Sequence, residues 1–224
     1  RQMCIRDRAI SFFEKCLKIN PNDSKSSLKL SKIYQDIEKF DLASEIISKA
    51  LSIEPKSELL YRDLAKIAYK QKDYERVVNT VDSLFLLSSD SNLLMLKLQG
   101  VSCFQLQHYK RAINLLNIVD QNSESNETMN YYISSCYLQL GMHDESITYL
   151  EKAIDQGVSK NLDNYYVNLA MIYEEKGDYQ QSINAYKLAY EKSRDKILLY
   201  HLARNYDVYY KDKSTAMRYY EKYL

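Results

Sequence analysis

Glycine and proline are almost missing from this chain, with four and two residues in 224. A protein of many short strands spends both at its turns, where φ > 0 or a fixed φ is needed, so a turn-dense β architecture has little here to turn with. Tryptophan is absent, and histidine is limited to His108, His143 and His201. No run of about 18 apolar residues occurs, and the greasiest stretch, 84–104, is broken by Ser88, Ser89, Asp90, Lys97 and Gln99. Direct membrane insertion is therefore not expected. An excess of one charge is lacking too: 31 basic against 30 acidic residues give a net +1. A nucleic-acid partner is disfavoured by that balance, because such surfaces gather uncompensated Lys and Arg. The distribution is uneven, with 19 basic against 14 acidic residues over 1–112 and 12 against 16 over 113–224.

Catalytic chemistry has little to stand on. Cys4, Cys16, Cys103 and Cys136 show no CxxC spacing and three of them sit in apolar helical patterns, so they read as small buried hydrophobes that fit a cytoplasmic and a periplasmic setting alike. Cys103 with His108 suggests metal ligation, but zinc wants three or four converging ligands. No Gly-rich phosphate loop and no G-x-S-x-G elbow is present. The expectation is a non-enzyme with no catalytic, cofactor-binding or metal-ligating residues and no cofactor.

What the chain does have is a period. Small residues recur at Ala9, Ala43, Val77, Ala112, Ser146, Ser182 and Ala216, at intervals of 34, 34, 35, 34, 36 and 34 residues. A unit of that length cannot bury an apolar face alone and must stack on copies of itself. Apolar residues three and four apart make each unit two amphipathic helices joined by a tight turn. The fold class is thus all-α, an α-solenoid of antiparallel helix pairs. The clearest copies read Leu30, Ser31, Tyr34, Phe40, Ala43, Ile47, Ala50, Pro55 and Leu169, Ala170, Tyr173, Gly177, Tyr179, Ser182, Tyr186, Ala189.

This pattern resembles the tetratricopeptide repeat from Ala9 onward. The resemblance implies a right-handed superhelix whose first helices line a concave groove. Residues 1–8, where Met3 to Asp7 resemble a translated sequencing adapter, read as a non-native leader, and the rest as a fragment of a longer bacterial chain. The array is then a half repeat over 9–21 followed by pairs at about 24–55, 58–89, 92–124, 127–158, 162–194 and 195–224, thirteen helices in all. Phe40, Tyr74, Tyr109, His143 and Tyr179 recur at the turn within a pair. Pro21 and Pro55 stop the second helices of the first two units. Residues near Ser89–Asn92, Gly157–Asn161 and Lys211–Ser214 read as loop insertions.

Applied to this register, the resemblance implies groove-facing residues in successive first helices. They are Lys25, Leu28, Lys32 and Gln35; Arg62, Lys66 and Tyr69; Lys97, Val101 and Phe104; Tyr131, Ser135 and Leu138; Asn164, Val167, Met171 and Glu174; and Tyr200 and Arg204. The wall begins basic, becomes apolar and aromatic, and ends mixed. Helices spaced by about 10 Å give a track of about 50 Å, or about 15 extended residues. The implied partner is a protein or peptide segment, acidic where it meets the basic N-terminal end. The same side chains also fit plain solvated helix faces.

One subclass of the family grips a C-terminal carboxylate through a Lys and Asn clamp. The equivalent positions here are Leu28 and Lys32, Asp63, then Lys97 and Val101, so that clamp is absent. Base-by-base reading of RNA fits no better, because the position that would carry the code holds Leu28, Arg62, Lys97, Tyr131, Val167 and Tyr200. Two functions remain: an interaction scaffold, or the regulatory or targeting arm of a larger enzyme or signalling protein. Of 22 Tyr, thirteen lie from Tyr165 onward, and Tyr165 and Tyr209 are left over by the register as candidates for an adhesive surface.

Helices approach closely only where a side chain is small. Ala43→Leu or Ala112→Leu therefore overpacks a crossing and costs about 1 to 3 kcal/mol, read as a lower melting temperature.

Overall fold

Thirteen α-helices run through the described residues of this computed structural model, which are 2–88, 92–124, 126–157 and 161–224, and no strand occurs among them. In chain order they are α1 (Gln2–Ile19), α2 (Ser24–Asp36), α3 (Phe40–Ile53), α4 (Glu58–Lys70), α5 (Tyr74–Leu87), α6 (Leu93–Gln105) and α7 (Tyr109–Val119). After a π-helical turn (Asp120–Glu124) follow α8 (Glu127–Gln139), α9 (His143–Gln156), α10 (Leu162–Lys176), α11 (Tyr179–Ser193), α12 (Ile197–Tyr209) and α13 (Ser214–Tyr223). Residues 2–8 belong to α1. The helices form two compact units, Arg1–Val119 with α1 to α7 and Asp120–Leu224 with α8 to α13. Within each unit the helices are stacked antiparallel hairpins, the all-α solenoid architecture that the period requires. Of the expected insertions, 89–91 and 158–160 lie outside the described residues.

Two rows of small side chains hold each pair together. On the second helices Ala43, Val77, Ala112, Ser146, Ser182 and Ala216 are all buried, while Ala9 is half-buried. On the first helices Ser31, Ala65, Gly100, Ser134, Ala170 and Ala203 make the matching buried row. Contact at the crossings is close. A Cβ on Gly100 would sit 2.8 Å from Leu116 of the paired helix, a distance at which something must shift. In the α8–α9 pair the Ser134 hydroxyl donates to the Ser146 carbonyl at 2.8 Å, and the Ser146 hydroxyl donates to the Ser134 carbonyl at 2.9 Å. A hydroxyl can bridge two helices in this way only when their backbones nearly touch.

Large side chains fill the space between crossings. Leu30, Tyr34, Ile47, Leu60, Leu64 and Ile67 form one cluster in the first unit, and Val77, Val81, Leu84 and Met95 form a second. Leu150, Tyr165, Leu169, Ile172, Tyr186 and Leu202 centre a third in the second unit. Cys103 and Cys136 are buried and Cys16 is half-buried, while the side chain of Cys4 lies outside the described residues.

Five pairs share one turn. The N–H of Lys39, Asp73, His108, Met142 and Asp178 donates to the carbonyl of Tyr34, Ala68, Cys103, Tyr137 and Tyr173 respectively, at 2.8 to 2.9 Å. This is the six-to-one bond of a Schellman closure, which requires a left-handed residue just before the donor. Those residues are Glu38, Lys72, Gln107, Gly141 and Gly177, with φ between 59° and 78°. The recurring Phe40, Tyr74, Tyr109, His143 and Tyr179 follow directly, as the first residue of each second helix. A shortage of glycine thus does not prevent φ > 0 turns; three of the five use ordinary side chains. The last pair departs from this pattern, with 210–213 joining α12 to α13 and Tyr210 extended.

A left-handed side chain carries a steric cost of about 1 to 2 kcal/mol, partly offset by the greater unfolded-state freedom of glycine. Glu38→Gly, Lys72→Gly or Gln107→Gly is expected to raise unfolding stability by about 0.5 to 1 kcal/mol, and Gly177→Ala to lower it by about 1 kcal/mol, both measurable by urea denaturation.

Candidate functional site

In the first unit α4 packs against both α2 and α6, so these first helices lie side by side as one wall. Lys25, Lys32 and Lys66 are exposed on it, and Arg62 and Lys97 are half-buried. Lys32 Nζ meets Asp36 at 2.9 Å, and Arg62 Nη2 meets Glu58 at 2.8 Å, each one turn away on the same helix. Such pairs add little stability, but they neutralise two of the five cations. Lys25, Lys66 and Lys97 have no ion pair among the described residues. Asp63, beside Arg62, is held from α2 by Ser31 Oγ at 2.7 Å and Gln35 Nε2 at 3.1 Å, which fixes the two first helices against each other. Tyr69 and Phe104 are half-buried, 6.3 Å from Tyr74 and 6.0 Å from Tyr109 between ring centroids. Val101, expected on the wall, is instead 5% exposed and belongs to the core. The reason lies in α6, where Leu93, Leu94, Met95, Leu96 and Leu98 leave no clean polar stripe from which to read a face.

The second unit carries a different wall. Tyr131 stacks on Tyr165 at 5.1 Å, and Leu138 packs onto the core cluster, so both are half-buried. Tyr165 itself is buried, which removes it from the adhesive surface expected of it. Met171 and Tyr200 are exposed apolar surface on α10 and α12, with Arg204 beside them. Tyr209 is exposed, edge-on to Tyr210 at 4.7 Å.

Beneath this wall lies a polar network that the sequence did not reveal. Glu174, only 14% exposed in its side chain, accepts hydrogen bonds from Arg204 Nη2 at 2.9 Å and from Asn205 Nδ2. Tyr186 is fully buried and stacks on His201 at 5.1 Å and 14°. Burial pushes the Tyr186 phenol well above its ordinary range, and the nearby Glu174 charge adds to the effect. Burial likewise holds the His201 imidazole below its usual value, with Arg204 assisting and Glu174 opposing. The (i, i+3) and (i, i+4) spacings of Glu58–Arg62, Lys32–Asp36 and His201–Arg204–Asn205 were the only signals available in the sequence.

Nucleophilic and metal chemistry find no assembled site among the described residues. Burial raises the Cys103 thiol, and Cys103 is linked to His108 through the backbone turn bond while the His108 side chain is exposed. No group of three His, Cys, Asp or Glu converges as metal ligands among the described residues, and none of the described helices is long and apolar enough to cross a membrane. Two clefts of about 330 and 410 Å³ lie among α1, α2 and α3, and the residues lining them include none of those expected to face the groove. They share Leu17, Ile46 and Lys49. Leu42 stands there in the register occupied by Arg76 and Arg111, which bridge later second helices to Ser48 and Asp82 at 3.0 and 2.5 Å.

Two tetratricopeptide repeat family models match the chain, one over 125–195 and one over 6–23 and 24–57. No curated protein matches. Among solved structures, the C-terminal part of a repeat-containing protein from Cytophaga hutchinsonii superposes with a TM-score of 0.75 at 16% identity, covering 98% of this chain and 89% of that one. YrrB, described as a tetratricopeptide repeat protein with an unusual peptide-binding site, gives 0.73 at 16% identity, covering 86% and 97%. MamA from Desulfovibrio magneticus gives 0.68 at 16% identity, covering 76% and 94%. At these identities the likeness is one of fold.

The buried imidazole sets a pH dependence. Below the ordinary value of 6.5 the unfolded chain takes up the proton before the folded one does, so stability contributed by His201 is lost as pH falls from there through its lowered folded value. His201→Phe, which keeps the stack on Tyr186, is expected to show a smaller drop in melting temperature between about pH 7.5 and about pH 5 than the parent chain.

Proposed function

Because the chain belongs to the tetratricopeptide repeat family, whose members hold proteins and peptides, we propose that its first-helix walls bind a protein or peptide segment, with acidic residues at the first unit. The observation that carries this reading is the set of Lys25, Lys66 and Lys97, three cations on three neighbouring first helices with no ion pair among the described residues. The first unit is the basic half of the chain, and an acidic segment laid across α2, α4 and α6 meets one such cation per helix. Lys32 and Arg62 become available to it only by exchanging Asp36 and Glu58 for the ligand. The second unit suits apolar side chains, which seat against Met171 and Tyr200 with Tyr131 and Leu138 as half-buried supports. Arg204 is committed to Glu174 and orients the wall more than it recruits. Binding by such a scaffold involves no bond-making.

Selection of a random peptide display library on the full chain tests this. Enriched segments are expected to carry Asp or Glu, and Lys25→Glu, Lys66→Glu and Lys97→Glu combined should weaken them about tenfold or more at low salt, with the loss shrinking as salt rises. Enrichment of segments without acidic residues, or affinity indifferent to the triple variant, overturns the acidic assignment.

A further inference from the structure

The network beneath the wall of the second unit is balanced at neutral pH. Glu174 of α10 carries a negative charge, Arg204 of α12 a positive one, and His201, one turn earlier on α12, none. Glu174 and Arg204 both belong to the face expected to line the groove, so their pairing decides what that wall offers a partner. While it holds, the guanidinium is turned to the protein's own carboxylate.

The imidazole is held from several sides. Its ring lies on the fully buried Tyr186 of α11, and Tyr200 meets it edge-on at 5.9 Å. Asn205, 1% exposed, donates to the His201 backbone carbonyl at 2.9 Å and to Glu174. Helix α13 reaches this corner through Tyr220 and Tyr223, whose rings lie 6.0 and 5.6 Å from that of Tyr200. Among these side chains the carboxylate is Glu174 and the permanent cation is Arg204; the rest are neutral amide and phenol groups.

His201 Nδ1 is enclosed and has no hydrogen-bond partner among the described residues. A proton bound there creates an enclosed charge, which has to be answered by an opposite one. Glu174 is the carboxylate whose charge already acts on the ring. Two cations then compete for one carboxylate, and exposure decides between them. The Arg204 side chain is 51% exposed, against 14% for Glu174, so water replaces the carboxylate around the guanidinium at small cost. The imidazole, fixed in its stack, has no such exit. Burial places the exchange below the ordinary imidazole value of 6.5.

We propose that protonation of His201 transfers Glu174 from Arg204 to the imidazolium and frees the guanidinium onto the second unit's wall, so that acidification turns an apolar surface into one that recruits carboxylates. The recruiting role rests on the peptide reading given above; the exchange of partners does not.

Side-chain NMR of the full chain, with isotope-labelled arginine and histidine, follows the exchange with no ligand present. Between about pH 7.5 and about pH 5 the Arg204 Nε–H resonance is expected to move to the position of a hydrated guanidinium, with the midpoint of the His201 imidazole. In His201→Phe it should keep its neutral-pH position throughout, with an unchanged helical circular-dichroism spectrum showing that the fold persists. An Arg204 resonance that stays in place while His201 titrates, as a ring swinging out to water would give, overturns the proposal. So does an Arg204 movement that persists in His201→Phe. The recruiting role is read with a synthetic hexa-aspartate peptide, whose affinity on acidification from about pH 7.5 to about pH 5.5 should rise about threefold more for the parent chain than for Arg204→Gln. Equal gains overturn that role. Release of Arg204 with no hexa-aspartate bound at either pH leaves the exchange standing and identifies the peptide reading as the part that fails.

Discussion

Two helix backbones can nearly touch only where neither side chain at the crossing is larger than a small hydrophobe, and the rest of this fold follows from that constraint. It dictates a small residue about every 34 positions on each second helix and another on each first helix. It sets the separation at which Leu116, Leu150 and Tyr186 fill the gaps, and it brings Ser134 and Ser146 near enough to exchange bonds with each other's backbone. A change of size at one crossing alters the angle of its hairpin and so the direction in which the next first helix presents its outward residues. Outer wall and core are therefore coupled through the same few atoms.

The hairpins were legible in the sequence because that steric limit leaves a mark every substitution must respect. Ala43, Val77, Ala112, Ser146, Ser182 and Ala216 differ in chemistry but not in role. The turns were less legible. A left-handed conformation is usually read from glycine, yet Glu38, Lys72 and Gln107 adopt it because the six-to-one backbone bond and the packing of the following aromatic residue impose it. Local preference gave way there to the hairpin closure.

The walls were legible by position and only partly by chemistry. Lys25, Lys66, Met171 and Tyr200 are exposed where the register puts them. Val101 is not, because α6 is apolar around most of its circumference and a helix of that kind hides its buried direction. In the Tyr165–Tyr166 pair, one ring lies in the core and the next is half-buried, a distinction that a doublet cannot carry. Glu174, Tyr186, His201 and Asn205 come from three helices, and only their folded arrangement makes them one network.

Within each unit the buried side chains gather between adjacent hairpins, as Leu30, Ile47 and Leu64 do in the first and Leu150, Ile172 and Leu202 in the second. Cooperativity is correspondingly short in range. Amide protons will exchange with solvent in steps along the sequence, most slowly in helices flanked on both sides, and a load applied to the two termini will be released hairpin by hairpin.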